Sequence, residues 1–313
     1  MVQLAILGST SRIAKDLICS LAQKHPSLAL FSRRPDELAA WGREQHLPGT
    51  VQSLGYERFQ DGAFDAVLNF VGSGDPARTA AIGSSILDIT HEYDDLALTY
   101  LRRHPQTRYL FMSSGAAYGR TFLRPAQAYT QAEFPINGLS ATDFYSVAKM
   151  YAECRHRALA DAAIVDIRIF NYFSRTSDIA ARFFMTDIVR AIANGEVLKV
   201  SEAPMRRDFL APVDFAHLID CVLRADPVNM AIDAYSKAPL EKFELLARMR
   251  EEFSLRFEVV PAPPVVISTG AKPEYFSENR RAEMLGYHPT FSSIEGVVME
   301  VRALFKQLGT VRG

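Results

Sequence analysis

Apolar residues in the first half of the chain alternate between two periods. Residues 2–7 form a short apolar run that stops at Gly8, after which Ile13, Leu17, Ile18 and Leu21 recur at helical spacing. Residues 28–31 form a second run, broken by Ser32-Arg33-Arg34-Pro35. Residues 66–71 form a third, stopped by Gly72-Ser73-Gly74, and residues 109–112 a fourth, stopped by Ser113-Ser114-Gly115. Residues 163–170 form a fifth. Strands separated by helical segments predict parallel β-α-β units with helices on both sheet faces. Such sheets place ligands at the carboxyl ends of their strands. After Asn171 the rhythm changes. A helix is predicted over 183–193, ending at Asn194-Gly195, and another over 244–252. Pro261-Ala262-Pro263-Pro264 reads as an extended break, and Ser292-Ser293 as the cap of a terminal helix over 294–308. The expected fold is α/β: a Rossmann-type doubly wound parallel sheet over 1–172, to which 210–238 return, with a smaller α/β lobe mainly over 173–313.

Composition narrows the function classes. The 313 residues carry 35 Lys+Arg and 36 Asp+Glu, a formal charge of −1, which excludes a broadly basic nucleic-acid binder. Hydrophobic residues are 48% and charged ones 23%, which excludes an acidic disordered chain. Cys19, Cys154 and Cys221 lie far apart, arguing against a disulfide framework and a cysteine zinc site. No apolar run approaches the ~20 residues of a membrane span. The first residues lack the pattern of a signal peptide. The expectation is a soluble cytoplasmic enzyme with no metal site and no nucleic-acid or membrane partner.

Gly8-Ser9-Thr10-Ser11-Arg12-Ile13-Ala14 sits between a predicted strand and helix, where a dinucleotide loop reads G-x-x-G-x-x-G. The first glycine is present, the third is an allowed Ala, and Ser11 replaces the second. The helix start still offers backbone N–H groups to a phosphate. The alternative is an ordinary turn with Ser11 as N-cap. At the end of the second strand an acid would select NAD and an arginine NADP. Ser32-Arg33-Arg34 stand there, with no carboxylate before Asp36, which favours NADP(H); a solvated arginine pair on an exposed turn is the alternative.

Tyr145 and Lys149 are spaced i, i+4 and share one helix face. An ammonium beside a phenol stabilises the phenolate, so the pair can pass a proton to or from an alcohol or ketone oxygen. A solvated helix pair is the alternative for these two. Ser114, ending the fourth strand, can orient the same oxygen, or serve as a turn residue.

These patterns resemble the extended short-chain dehydrogenase/reductase superfamily, in its NAD-dependent epimerase/dehydratase group acting on nucleotide sugars. The resemblance covers nearly the whole chain in order. It runs through the phosphate loop, Asp65-Ala66-Val67, Ser113-Ser114 with Ala117-Tyr118-Gly119, and Tyr145 with Lys149. Arg168-Ile169-Phe170-Asn171, Arg207-Asp208-Phe209 with Val213 and Asp214, and Leu285-Gly286-Tyr287-His288-Pro289 follow. It implies a catalytic set of Ser114, Tyr145 and Lys149, with Lys149 also holding the nicotinamide ribose. It implies a cofactor site of Gly8, Thr10, Ser11, Arg12, Ile13, Ser32, Arg33, Arg34, Phe70, Val71 and Gly72. Asn171, Arg207 and Lys272, with Ser114, are the implied substrate residues. An ion pair with Asp208 or Asp214 is the alternative for Arg207. Four departures stand out: Ser11, the missing acid after the second strand, the family's second phosphate arginine, which has no counterpart and for which Lys272 is the nearest cation, and Ser277-Glu278-Asn279-Arg280 where the family reads D-x-S-K. The resemblance also implies a homodimer through helices near 93–103 and 145–160.

Dehydratases of the group carry Asp-Glu after the catalytic Ser/Thr, whereas this chain has Gly115-Ala116. The 3,5-epimerase/reductase branch needs a Cys and a His, and no cysteine lies near Ser114 or Asn171. The leading expectation is therefore an NADP(H)-dependent ketoreductase of a nucleotide-linked keto-deoxy sugar. The alternatives are an epimerase using NAD(H) or NADP(H), and a non-catalytic dinucleotide sensor.

Overall fold

The apolar runs become strands of one sheet. The computed structural model describes residues 3–309 except 26, 73–78, 80, 120, 121 and 262–271. The predicted stop at Ser73-Gly74 and the break at 262–264 thus lie outside the described residues. The first half comprises β1 (Leu4–Leu7), α1 (Arg12–Leu21), β2 (Leu28–Phe31), α2 (Pro35–Glu44), β3 (Gln52–Leu54) and β4 (Ala66–Asn69). It continues with α3 (Ser85–Arg103), β5 (Arg108–Ser114), α4 (Ala141–Arg157) and β6 (Ile164–Ile169). Then follow β7 (Asn171–Tyr172), α5 (Phe184–Asn194), β8 (Val197–Ser201), β9 (Arg206–Arg207), β10 (Phe209–Leu210) and α6 (Pro212–Arg224). The last are β11 (Met230–Ala234), β12 (Leu240–Glu241), α7 (Lys242–Phe253), β13 (Arg256–Val260), β14 (Glu274–Tyr275) and α8 (Ser293–Gln307).

Seven strands pair in parallel in the order β11-β6-β5-β4-β1-β2-β3. The order reverses between β1 and β4, and ligands of doubly wound sheets bind at the carboxyl ends beside such a switch point. Every residue of β1, β2 and β4 is buried, as strands covered on both faces require. One core layer packs α1 and α6 on the sheet through Leu17, Ile18, Leu218 and Ile219. The opposite layer packs Phe31, Phe59, Leu98, Tyr109 and Phe111. A separate cluster of Ile188, Leu245, Met249, Val301 and Leu304 joins α5, α7 and α8. Gly195 ends α5 at φ +64°, the left-handed cap expected there, and Ser292 with Glu295 forms the capping box of α8. Among the described residues no helix is long and apolar enough to cross a membrane, and no cluster of His, Cys, Asp and Glu could hold a metal ion.

The helix α4 breaks the hydrophobic rule. Its buried face carries Asp143, Ser146, Lys149, Glu153 and His156, a polar stripe at helical spacing beside only two buried apolar residues, Ala148 and Ala152. The strands it covers answer in kind. Parallel register sets Ser113 beside Arg168 and Phe111 beside Asp166 across β5 and β6, and Arg168 beside Asp233 across β6 and β11. His156 lies between two fully buried carboxylates, with Nδ1 2.6 Å from Asp166 Oδ1 and Nε2 2.7 Å from Asp94 Oδ1. Arg155 supports Asp94 and Arg157 supports Asp166, each at 2.8 Å. Burial alone would lower the His156 pKa, but the two carboxylates raise it from 6.5 to about 9.

A raised folded-state value contributes stability that is complete below pH ~6.5 and is lost as pH rises through about 9. His156→Leu leaves the two carboxylates facing an apolar side chain, which costs roughly 3–5 kcal/mol. Urea unfolding at pH 6 should show that loss in full. At pH 10 the gap to wild type should shrink, because the native imidazole is then neutral. An equal gap at both pH values would refute the charged His156.

Candidate active site

Two loops meet where β1 and β4 end. Gly8 takes φ +72°, and a Cβ placed on it would lie 2.8 Å from the backbone of Phe70 and Val71. No side chain fits there without moving the end of β4. Ser11 caps α1, its Oγ accepting from Ala14 N at 3.3 Å, so the capping role open from the sequence is realised. Ser9 Oγ donates to Ile6 O, Thr10 is exposed, and Ile13 packs against the core. Phe70 turns its ring inward against Phe215, so it faces the loop with backbone only. Val71 packs into the opposite core layer.

The basic residues surround the end of β2. Ser32 is buried and accepts from Arg34 N at 3.1 Å, while the exposed Arg34 pairs with Glu37 at 2.9 Å. Arg33 lies close enough to Tyr56 and Tyr93 for its charge to act on both phenols. Tyr56 in turn accepts from Gly8 N at 3.0 Å. Arg12 reaches across to Asp178 at 2.7 Å. Lys15, one turn along α1 from Arg12, sits 4.7 Å over the Trp41 ring. Burial lowers its pKa, Glu44 opposes that, and the charges of Arg12 and Arg34 lower it further. Lys15 thus lies within reach of the charges of both Arg12 and Arg34. Sequence reasoning missed Lys15, whose only signal was its i+3 spacing from Arg12.

Ser114, Tyr145 and Lys149 come together at the carboxyl end of β5. Lys149 is no solvated helix residue: it is 3% exposed, donates to Met112 O at 2.8 Å, and lies 4.3 Å over Phe111 and 5.9 Å over the Tyr145 ring. Burial pushes its ammonium down to about 8, opposed by the carboxylates Asp94, Glu153 and Asp166. Burial pushes the Tyr145 phenol up, and hydrogen bonding to Ser114 pulls it back. Ser114 Oγ accepts from Ala116 N at 3.1 Å. Gly72, at φ +135°, joins the two halves: a Cβ there would lie 3.5 Å from Lys149 Nζ.

The C-terminal segment adds Tyr275, which sequence reasoning did not find. Its phenol is raised by burial and lowered by hydrogen bonding to Ser114, so both tyrosine hydroxyls share that serine. Its ring packs 4.6 Å from Phe122 and 5.2 Å from Phe170. The three other residues expected to meet the substrate gather around it. Asn171 Nδ2 donates to Asp208 O and to Tyr275 O. Arg207 and Lys272 lie 5.7 and 5.1 Å from the Tyr275 ring. Arg207 Nη1 donates to the carbonyls of Arg206, Lys272 and Pro273.

The alternative ion pair of Arg207 does not form. Asp208 accepts from Ser236 and Ser293, and Asp214 from the amides of Thr290 and Phe291. Burial lowers the Arg207 pKa to about 10, with Tyr275 and Glu274 opposing. The residues in place of D-x-S-K are also accounted for. Ser277 and Asn279 donate to Asp233, and Arg280 covers the Tyr235 ring at 4.1 Å.

Solved structures share this fold. A UDP-glucose 4-epimerase from Bifidobacterium longum, solved with NAD+ and UDP, superposes with a TM-score of 0.75 at 16% identity, covering 99% of each chain. A UDP-glucose 4-epimerase from Thermotoga maritima, solved with UDP-glucose, gives 0.79 at 15%, over 98% of this chain and 100% of that one. A dTDP-glucose 4,6-dehydratase from Bacillus anthracis, solved with NAD, gives 0.76 at 12%, over 98% and 97%. No curated protein matches the sequence. The model of the NAD dependent epimerase/dehydratase family matches residues 4–232. The chain therefore belongs to the NAD-dependent epimerase/dehydratase family, enzymes of the extended short-chain dehydrogenase/reductase type.

Proposed function

We propose that this enzyme is an NADP(H)-dependent ketoreductase of a nucleotide-linked keto-deoxy sugar. The cations Arg12, Lys15, Arg33 and Arg34 around the end of β2 carry the cofactor choice. No carboxylate stands at that strand end, and Glu37, on α2, pairs with Arg34. That arrangement fits a 2′-phosphate, whereas a bare ribose would want an acceptor. The close approach of Gly8 to β4 and the N-terminus of α1 suit the pyrophosphate.

The bound cofactor supplies the hydride. Tyr145 gives its phenolic proton to the substrate carbonyl oxygen, and Ser114 holds that oxygen. Lys149, while charged, favours the phenolate left behind. Arg207 supports a diphosphate: it is a half-buried cation resting on carbonyls, and among the described residues no carboxylate pairs with it. Gly115 argues against dehydration, since a Cβ there would lie 2.5 Å from the Phe170 ring, leaving no room for an acidic side chain. An epimerase would keep the same residues, and the solved relatives that are epimerases favour that second reading.

The proposed assembly is a homodimer through α3 and α4. Tyr151, 51% exposed, lies on a 280 Å³ hollow lined also by Leu87, His91 and Val147. Sedimentation equilibrium should give a dimer that Tyr151→Arg dissociates; a monomeric wild type would end this part of the proposal.

Two measurements test the chemistry. Tyr145→Phe should slow NADPH oxidation by about 10²–10⁴-fold while leaving NADPH affinity unchanged. Turnover at the wild-type rate would sink the mechanism, and tightly held NAD with no net redox would select the epimerase. Arg33→Ser with Arg34→Ser should weaken NADPH binding by about 10- to 100-fold and leave NADH binding nearly unchanged. A wild type that binds NADH more tightly than NADPH would remove the reductase argument.

A further inference from the structure

Glu153 stands one helical turn beyond Lys149 and two beyond Tyr145, on the buried face of α4, and is 7% exposed. Its Oε1 accepts from Ser113 Oγ at 2.5 Å. Arg168 donates to both carboxylate oxygens, with Nε 3.0 Å from each and Nη2 2.5 Å from Oε2. Ser113 adjoins Ser114, so this carboxylate ties the end of β5 to the helix that carries Tyr145 and Lys149.

The same carboxylate bears on Lys149. The ammonium bonds to a carbonyl, Met112 O, and among the described residues no carboxylate forms an ion pair with it. Its charge is held from farther off by Asp94 of α3, Asp166 of β6 and Glu153 of its own helix. Asp94 and Asp166 are already answered by His156, Arg155 and Arg157. Glu153 is answered by Arg168, which is itself divided between Glu153, Tyr118 and Asp233. Arg168 therefore offsets Glu153 only in part, and Glu153, one turn from Lys149 on the same helix face, acts on the ammonium after Asp94 and ahead of Asp166.

We propose that Glu153 is a positioning residue of this site, setting the stance of Ser114 through Ser113 and keeping the Lys149 ammonium charged. The proposal rests on the reading of Lys149 as a residue that holds the cofactor. The contacts continue into the C-terminal segment. Arg168 Nη1 donates to Tyr118 OH at 2.6 Å, Tyr118 donates to Asp233 at 3.0 Å, and Ser277 Oγ donates to Asp233 at 2.5 Å. Ser277 is two residues from Tyr275, which meets Ser114 from the other side. One chain of buried polar groups thus runs from the residue beside Ser114 to the lobe that covers it.

The test is fluorescence titration of NADPH, and separately of NADH, between pH 6 and 10. Wild-type affinity should fall through the Lys149 value of about 8. Lys149→Met should be weak and flat. Glu153→Gln still accepts from Ser113 but carries no charge, so it should bind as wild type at pH 6 with its alkaline midpoint lowered by about one pH unit. Ser113→Ala removes the hydrogen bond without touching charge and should leave the midpoint in place. Arg168→Gln leaves Glu153 less offset and should move the midpoint upward, which keeps the proposal open to refutation should Glu153→Gln fail to fold. Midpoints that stay put in Glu153→Gln, or in Arg168→Gln, overturn the proposal. A wild type with no alkaline fall, matched by Lys149→Met, overturns instead the cofactor role of Lys149.

Discussion

Four buried carboxylates, Asp94, Glu153, Asp166 and Asp233, lie beneath the candidate active site, and the fold must pay for their desolvation with cations. The compensating charges are His156, Arg155 and Arg157 from α4, with Arg168 from β6. Pairing them leaves α4 one rotation about its axis, with Lys149, Glu153 and His156 against β5 and β6. Tyr145 shares that face, so the charge pairing also aims the phenol at Ser114. A purely apolar face on α4 would tolerate small rotations. Ion pairs at 2.5–3.0 Å do not, because their geometry decides whether they offset the burial of charge.

This explains which parts of the molecule were legible in the sequence. β1, β2 and β4 are short and wholly buried, so an apolar run bounded by Gly or Ser was sufficient to find them. α4 carries its periodicity in ionisable residues, and hydrophobic spacing cannot see it. Tyr145 and Lys149 were found by their chemistry, while Glu153 and His156 on the same stripe passed unremarked. The two-residue strands β9, β12 and β14 have no local signature, since partners far along the chain hold them. Tyr275 depends on that pairing, which sets it opposite Arg207. Its approach to Ser114 was therefore invisible until the C-terminal segment was placed. Asp208 and Asp214 stand in motif positions yet bind hydroxyls and amides of distant segments, which spacing alone cannot distinguish from a partner for Arg207.

The near-neutral formal charge of −1 conceals unlike local regions. Beneath β5 and β6 the charges are buried and mutually offset. Around β2 they are cationic and mostly exposed, where water screens them and the pairs of Arg34 with Glu37 and Arg12 with Asp178 are held only at the surface. Arg207 is the exception, half-buried and resting on carbonyl dipoles, with its pKa lowered by desolvation. A partly desolvated guanidinium with no carboxylate partner among the described residues gives up stability that an anion would restore on arrival, as sites built for ligands commonly do. In the proposed reading, the exposed cations choose the cofactor and the half-buried one waits for the substrate's diphosphate. The offset region between them carries no ligand charge. It holds Tyr145, Lys149 and Ser114 rigid while the two anionic ends are filled.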